Sequence, residues 1–435
     1  MSGAFICVAL IAFPVPKTGT PAPPVEMLIR LTVQPMAAPR PALRYQLLPE
    51  MRELQPGNPI PGYLKSLLDQ DQTIRESNLG PSALRQADRA ARLDKPDWQI
   101  LDKLKIDGIS LLVPDLQKMR ELAAGLQARF REEIAQRRFD DAIATAKTML
   151  ALSRHVGEHP TLIGDLVAIA IAMITISPLE ELLEQPGCPN LYWALTNLPY
   201  PLIAIDKGLD GERVMMQAEL RDLSDTEPMT AEQIKKVMDH IEYFRKFEAD
   251  TIRQTARQWV SVRTRDAKYL AAARLRLIEA GIAEERVAIF PVDQVILLDE
   301  KREYEVRRDD LSKLAKLPTW EYEAFTRKLV KPTEPAFFDF MIAAFQKVRR
   351  AQGRLEQKIA LLRHVEALRM YAAEHDGKLP EKLADIDLPL PVDPFSGKAF
   401  RYAKDGDTAH LRGNPPIGEE KIPTYNLHYE ITIRK

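Results

Sequence analysis

Proline dictates where regular structure can form in this chain. From Lys17 to Pro61 it recurs every few residues, at Pro21, Pro23, Pro24, Pro35, Pro39, Pro41, Pro49, Pro56 and Pro59. Each proline fixes φ, removes a backbone donor and pushes the residue before it away from helix. Residues 25–80 are therefore expected to form an extended strap with few regular hydrogen bonds. Leu43, Tyr45, Leu47 and Leu48 are expected to lie along a helical body, because a free linker would not carry so many apolar side chains. The imbalance of 33 prolines against 19 glycines also disfavours the glycine-built loops that cradle phosphate.

After Pro81 the spacing becomes helical, and residues 81–335 read as a helical body. Ser82 precedes ALRQADRAARL as an N-cap. Leu112, Leu116, Met119, Leu122, Leu126 and Phe130 recur at steps of three and four, the mark of one apolar helix face. After a polar break at Gln136–Arg138, Phe139, Ala142, Ile143, Ala146, Met149, Leu150 and Leu152 continue the pattern on a second helix. The phrase RRFDDAIATAKTML resembles the second half of a tetratricopeptide hairpin, although no 34-residue period recurs. Leu166–Ile176 is apolar on all sides, and the interval between Pro160 and Pro178 that brackets it also holds Asp165. It is expected to be a central buried helix, with no membrane span in the mature chain. Thr230–Gly281 reads as a charged, solvated helical region with Ile234, Val237, Ile241, Phe244 and Phe247 on one face. The phrase VAIFPVDQVILL, from Val287 to Leu298, is expected to interrupt the helices.

Ala4–Phe13 is a ten-residue apolar run, the length of a signal-peptide core and half of a membrane crossing. Residues 1–24 are accordingly expected to be a signal segment and proline-rich leader, placing the protein in the periplasm or cell envelope. Removal of Cys7 with that leader would leave Cys188 as the lone thiol. Two cysteines in all exclude a disulfide scaffold and a four-cysteine zinc site.

The 61 basic and 62 acidic residues nearly cancel, so no global field draws the chain to nucleic acid. Arg253, Arg257, Arg263 and Arg265 beside Trp259 are interleaved with acids and read as a solvated helix face. The chain carries no nucleophile elbow, phosphate loop, dinucleotide fingerprint or C-x-x-C pair. His364 and His375 sit on a helix without a nucleophile partner. One stretch has catalytic spacing: His155-Val156-Gly157-Glu158-His159 fits H-x-x-E-H, in which two histidines one helical turn apart bind zinc and the glutamate activates water. That alternative, a zinc-dependent hydrolase, makes His155 and His159 ligands and Glu158 the catalytic base. It needs a third ligand, for which Glu219 and Glu232 are the candidates. Gly157 weakens a helix in mid-motif and Pro160 opposes helix at His159, so a helix C-terminus with His155 at its negative end explains the same residues. No cofactor is expected.

Residues 336–435 read as a long helix followed by a small antiparallel sheet. Leu355, Ile359, Leu362, Val365 and Leu368 form the helix seam, and Gly377 ends it. Asp393-Pro394-Phe395-Ser396-Gly397 is a tight turn, since Asp bonds its own backbone, Pro presets φ and Gly accepts φ > 0. Strands are expected at Ala399–Tyr402, Thr408–Leu411 and Tyr425–Ile433, with Asp405-Gly406-Asp407 as a hairpin. Ala367, Leu368, Tyr371, Gly377, Pro380, Leu383, Asp393, Pro394, Phe395, Gly397 and Tyr402 follow the order seen in the C-terminal half of major pseudopilins of type II secretion. The resemblance covers about residues 360–412 and implies their α+β module, without the assembly segment or a clear calcium loop in Gly413–Glu420. Through Pro41–Glu50, His159–Leu166 and Asp393–Gly397 the whole chain is similar to uncharacterised exported bacterial proteins with a strap, helical body and this tail. The expected fold is mainly α, with tetratricopeptide-like helical hairpins and a small α+β tail. The expected function is a non-enzymatic extracytoplasmic scaffold for a protein partner, with the secretion machinery as the narrower possibility.

Overall fold

The computed structural model describes residues 26–68, 80–245, 255–329 and 338–434 of the chain. The expected leader, Ala4–Phe13 with Cys7, lies outside the described residues, as does Phe247. The molecule is mainly helical, with fifteen helices, 59% helix and one four-stranded sheet among the described residues.

Strand β1 (Met27–Val33) comes first, followed by α1 (Pro59–Leu68), α2 (Pro81–Ala90) and α3 (Leu101–Asp107). Three long helices, α4 (Pro114–Ala135), α5 (Phe139–Val156) and α6 (Leu162–Leu183), form two consecutive hairpins. Next come α7 (Tyr192–Thr196), α8 (Asp206–Glu219), α9 (Ala231–Arg245), α10 (Ala256–Arg263), α11 (Ala267–Glu279) and α12 (Glu284–Ile289). Helices α13 (Val292–Leu314), α14 (Thr319–Leu329) and α15 (Asp339–Glu374) precede strands β2 (Arg401–Asp405), β3 (Thr408–Arg412) and β4 (Leu427–Ile433).

The stripe expected on α4 is buried, with Leu116, Met119, Leu122, Leu126 and Phe130 each at 2% exposure or less. Leu112 is the exception: it precedes Pro114, outside the helix, and is exposed. Ser82 is not a cap, because Pro81 takes the first helical position and Gly80 stands before it. Helix α6 does not stop at Pro178 but runs through it for 22 residues. Pro178 cannot donate to the Ile174 carbonyl four residues back, and the side-chain amide of Gln127 from α4 donates there instead, at 2.8 Å. By length and composition α6 could cross a membrane; 61% of its most apolar window is buried within the molecule. VAIFPVDQVILL breaks the helices only at Phe290–Pro291, after which Val295, Ile296, Leu297 and Leu298 are buried on α13. Tertiary burial overrides their β propensity there.

Two hydrophobic cores result. One is formed by α1, α2, α4–α7, the inner sheet face and the later part of α15; the other by α8–α14 and the earlier part of α15. Helix α15, about 54 Å long at 1.5 Å per residue, spans both.

The strap departs most from expectation. Leu47 is buried, and Tyr45 and Leu48 pack against the first core, but Leu43 is half exposed. Its opening residues are a strand with full ladder pairing. β1 pairs parallel with β4, Met27 opposite Leu427 through Val33 opposite Ile433, giving the order β1-β4-β3-β2. The sheet is thus mixed rather than antiparallel, and it is not built from the tail alone. The alternation of Ile29, Leu31 and Val33 inward with Leu28, Arg30 and Thr32 outward is a half-buried strand signal. The prolines that follow it do not reach into it. A parallel pair needs a crossover, and here the whole helical body supplies it.

Candidate functional site

The H-x-x-E-H stretch lies where α5 hands over to α6, at the junction of the two cores. Helix α5 ends at Val156 with Gly157 as its C-cap, and Thr161 caps α6 by accepting from the Gly164 N–H at 3.1 Å. The motif therefore straddles a helix end, and its histidines do not stand on one helical turn. Gly157 and Pro160 work as the sequence implied.

Each imidazole has its own partner. His155 Nδ1 lies 2.9 Å from the Tyr63 hydroxyl of α1, and the His155 carbonyl accepts from Trp98 Nε1 at 3.2 Å. His159 Nδ1 lies 2.8 Å from the Thr161 hydroxyl, and its ring meets Trp98 edge to face, centroids 4.8 Å apart. Burial lowers both imidazoles to a pKa of about 4, so both are neutral at pH 7. Glu158 is ion-paired with Lys207 of α8. Neither proposed third ligand joins them. Glu219 accepts from the Ile109 N–H at 2.6 Å and pairs with His240 Nε2 at 2.5 Å, while Glu232 is exposed in the first turn of α9. Among the described residues no three His, Cys, Asp or Glu side chains converge in a way that could hold a metal ion.

The structure brings in two carboxyls that lie outside the H-x-x-E-H stretch and its candidate ligands. Asp165, in the first turn of α6, is fully buried and neither oxygen has a hydrogen-bond partner among the described residues. Its pKa is pushed well above the usual carboxylate range, first by burial and then by Glu212, Asp206 and Glu158. Glu212 on α8, also buried, is pushed up to about 7 by burial, partly offset by the Leu162 N–H that it accepts. Such perturbed acids are what a catalytic site would display. The α8 backbone comes close to this turn. A Cβ on Gly208 would stand 2.0 Å from Asp165 Oδ2, and one on Gly211 would stand 1.9 Å from the Pro160 carbonyl oxygen. Helix α8 thus lies directly against the turn, with Gly208 close to Asp165 and Gly211 close to Pro160. The sequence signal was available in Asp165, which stands directly before the apolar run Leu166–Ile176, and in the three-residue spacing of Gly208 and Gly211.

The strongest polar chemistry in the molecule ties distant segments together. Glu366 and Arg369 of α15 form a 2.8 Å ion pair with both side chains fully buried. Arg369 also donates to the carbonyls of Gln34 in the strap and Cys188 before α7, at 3.0 and 2.8 Å. Glu366 accepts from Leu191 N–H at 2.7 Å and from Asn190 at 2.9 Å. Cys188 is buried, and its thiol is raised to about 12 by burial. His364 is buried too, lowered to about 4 by burial, and its Nδ1 lies 2.8 Å from the Ala360 carbonyl.

In the tail, the turn at Asp393 forms as expected. Its carboxylate accepts from its own turn at Phe395 N–H, 3.1 Å, from Gln357 at 2.9 Å and from Asn414 at 2.6 and 2.7 Å. Gly397 has φ +65°, and a Cβ there would stand 2.8 Å from Trp320. Tyr402 donates to the Pro380 carbonyl at 2.7 Å, closing the motif on itself. Glu419 of the following loop is ion-paired with Arg350 at 2.5 Å.

Compared with known proteins, the chain matches no family model, no curated protein and no solved structure. Function therefore has to be argued from this geometry.

Proposed function

We propose that this chain is a non-enzymatic scaffold that holds a protein partner outside the cytoplasm, with a helical body packed in tetratricopeptide-like hairpins and a pseudopilin-like tail. The observation that supports it most is the Glu366–Arg369 network, in which one buried ion pair joins the strap, the segment before α7 and the longest helix. Polar side chains of that kind hold segments in a fixed arrangement. The handover from α5 to α6 supports the same reading, since His155, Glu158 and His159 each meet a different partner and α8 backbone covers Asp165. The apolar run at Ala4–Phe13 supports export. The polar outer face and free edge of the sheet offer a surface of the kind on which partner strands add.

Affinity capture with the full chain from envelope extracts tests this reading, with N-terminal sequencing of the mature protein reporting on export. A specific partner, and a mature chain beginning beyond the leader, are expected. A cytoplasmic chain with an intact N-terminus and no partner would refute it. Zinc analysis separates the hydrolase alternative: no stoichiometric metal is expected, whereas zinc lost in a His155→Ala/His159→Ala double variant would favour the enzyme.

A further inference from the structure

We propose that the cleft between α2, α4 and α5 binds a small phosphate-bearing anion. The cleft has a volume of about 390 Å³, at the lower end of the range for ligand sites. Arg85 and Arg89 stand one helical turn apart on α2 at its rim, both exposed, with no side-chain hydrogen bond or ion pair to any described residue. Side chains spaced i and i+4 lie about 6 Å apart, close enough for two guanidinium groups to grip one phosphate or two linked ones.

The cations deeper in the cleft are held in place by protein. Arg129 makes a bidentate pair with Asp88 at 2.8 and 2.9 Å, and Thr148 also donates to Asp88 at 2.8 Å. Arg92 is anchored through the Asp88 carbonyl at 2.5 Å. The acids that would repel an anion are already engaged. Asp88 is neutralised by Arg129, and Asp141 pairs with Arg138 at 2.7 Å. Glu133 accepts from Thr145 at 2.5 Å and lies 3.7 Å from Arg129 Nε as an ion pair. Among the described residues two positive charges therefore remain without a side-chain partner, over a wall of fixed guanidinium groups, a donor array suited to phosphate oxygens.

The lining also limits the ligand class. Among the described residues it contains no aromatic ring, and Ala144 is its one apolar side chain, so a nucleoside base would find no stacking surface there. Affinity should follow the charge of the phosphate group and ignore what is attached to it. The site uses arginine side chains and not a glycine loop, which accords with the glycine-poor sequence.

Titration calorimetry of the full chain with inorganic pyrophosphate, at low ionic strength, tests the proposal. Saturable one-to-one binding is expected, weakening at least tenfold in an Arg85→Gln/Arg89→Gln double variant and falling as salt is raised. Neither arginine holds a described contact, so the variant should keep the wild-type melting temperature. An Arg221→Gln/Lys235→Gln variant removes the same charge from other exposed positions and should bind as the wild type does. ADP should bind no more tightly than pyrophosphate. Unchanged binding in the Arg85/Arg89 variant, equal loss in the control variant, or no binding at all would overturn the site. Retention on anionic phospholipid vesicles without any binding of free pyrophosphate would also overturn it.

Discussion

Glu212→Gln should stabilise the protein at alkaline pH and do much less in mild acid. Glu212 is buried at 7% exposure, with its pKa raised from 4.5 to about 7. In the unfolded chain it ionises near 4.5, while the native state holds the proton up to about 7. Stability is therefore lost progressively as pH rises between those values, and the loss is complete above the folded pKa. At about 1.4 kcal/mol per unit, the shift implies a cost near 3 kcal/mol at pH 8 and about 1.4 kcal/mol at pH 5.5. Glutamine keeps the oxygen that accepts from the Leu162 N–H but cannot ionise, so it removes that cost. Urea unfolding of both proteins at the two pH values should show a gain about 2 kcal/mol larger at pH 8. An equal effect at both pH values, or a loss at pH 8, would refute the view that α8 carries a desolvated acid against the start of α6.

Three further outcomes follow from the same geometry. Arg369→Met, which leaves Glu366 buried without its cation, should cost about 3–5 kcal/mol by urea unfolding, and adding Glu366→Leu should recover part of it. Gly208→Ala forces a carboxyl tip aside and should cost about 1–3 kcal/mol, whereas Gly211→Ala meets a fixed carbonyl and should lower the melting temperature further. Acid should act through the buried imidazoles. His159 and His364 are neutral when folded but bind protons near 6.5 when unfolded, so stability falls from pH 6.5 down to about 4. Substituting His364 with Gln should flatten that decline in a series of denaturation midpoints.

Much of the helical body could be read directly from apolar spacing. The stripes of α4 and α5, the break at Gln136–Arg138 and the buried nature of α6 all follow from local periodicity, which packing then reinforces. The Asp393 turn was equally legible, because Asp, Pro and Gly each act on their own backbone. Helix ends are harder: Pro178 reads locally as a boundary, and only Gln127, from another helix, supplies the hydrogen bond that lets α6 continue. The candidate site was half visible. His155, Glu158 and His159 stood out as a pattern, yet their roles depended on Tyr63, Trp98 and Lys207, which come from other segments.

The sequence by itself determined the chain's dominant helicity, its proline-bound segments and the local turns, since these depend on interactions within a few residues. Tertiary structure alone decided that β1 would complete a sheet nearly 400 residues later in the chain. It also decided that Glu366 would find Asn190 and Leu191, and that α8 would close over Asp165. The physical reason is that burial turns a solvated charge into a costly one, so its partner is chosen by what the fold brings near and not by what lies beside it in the chain.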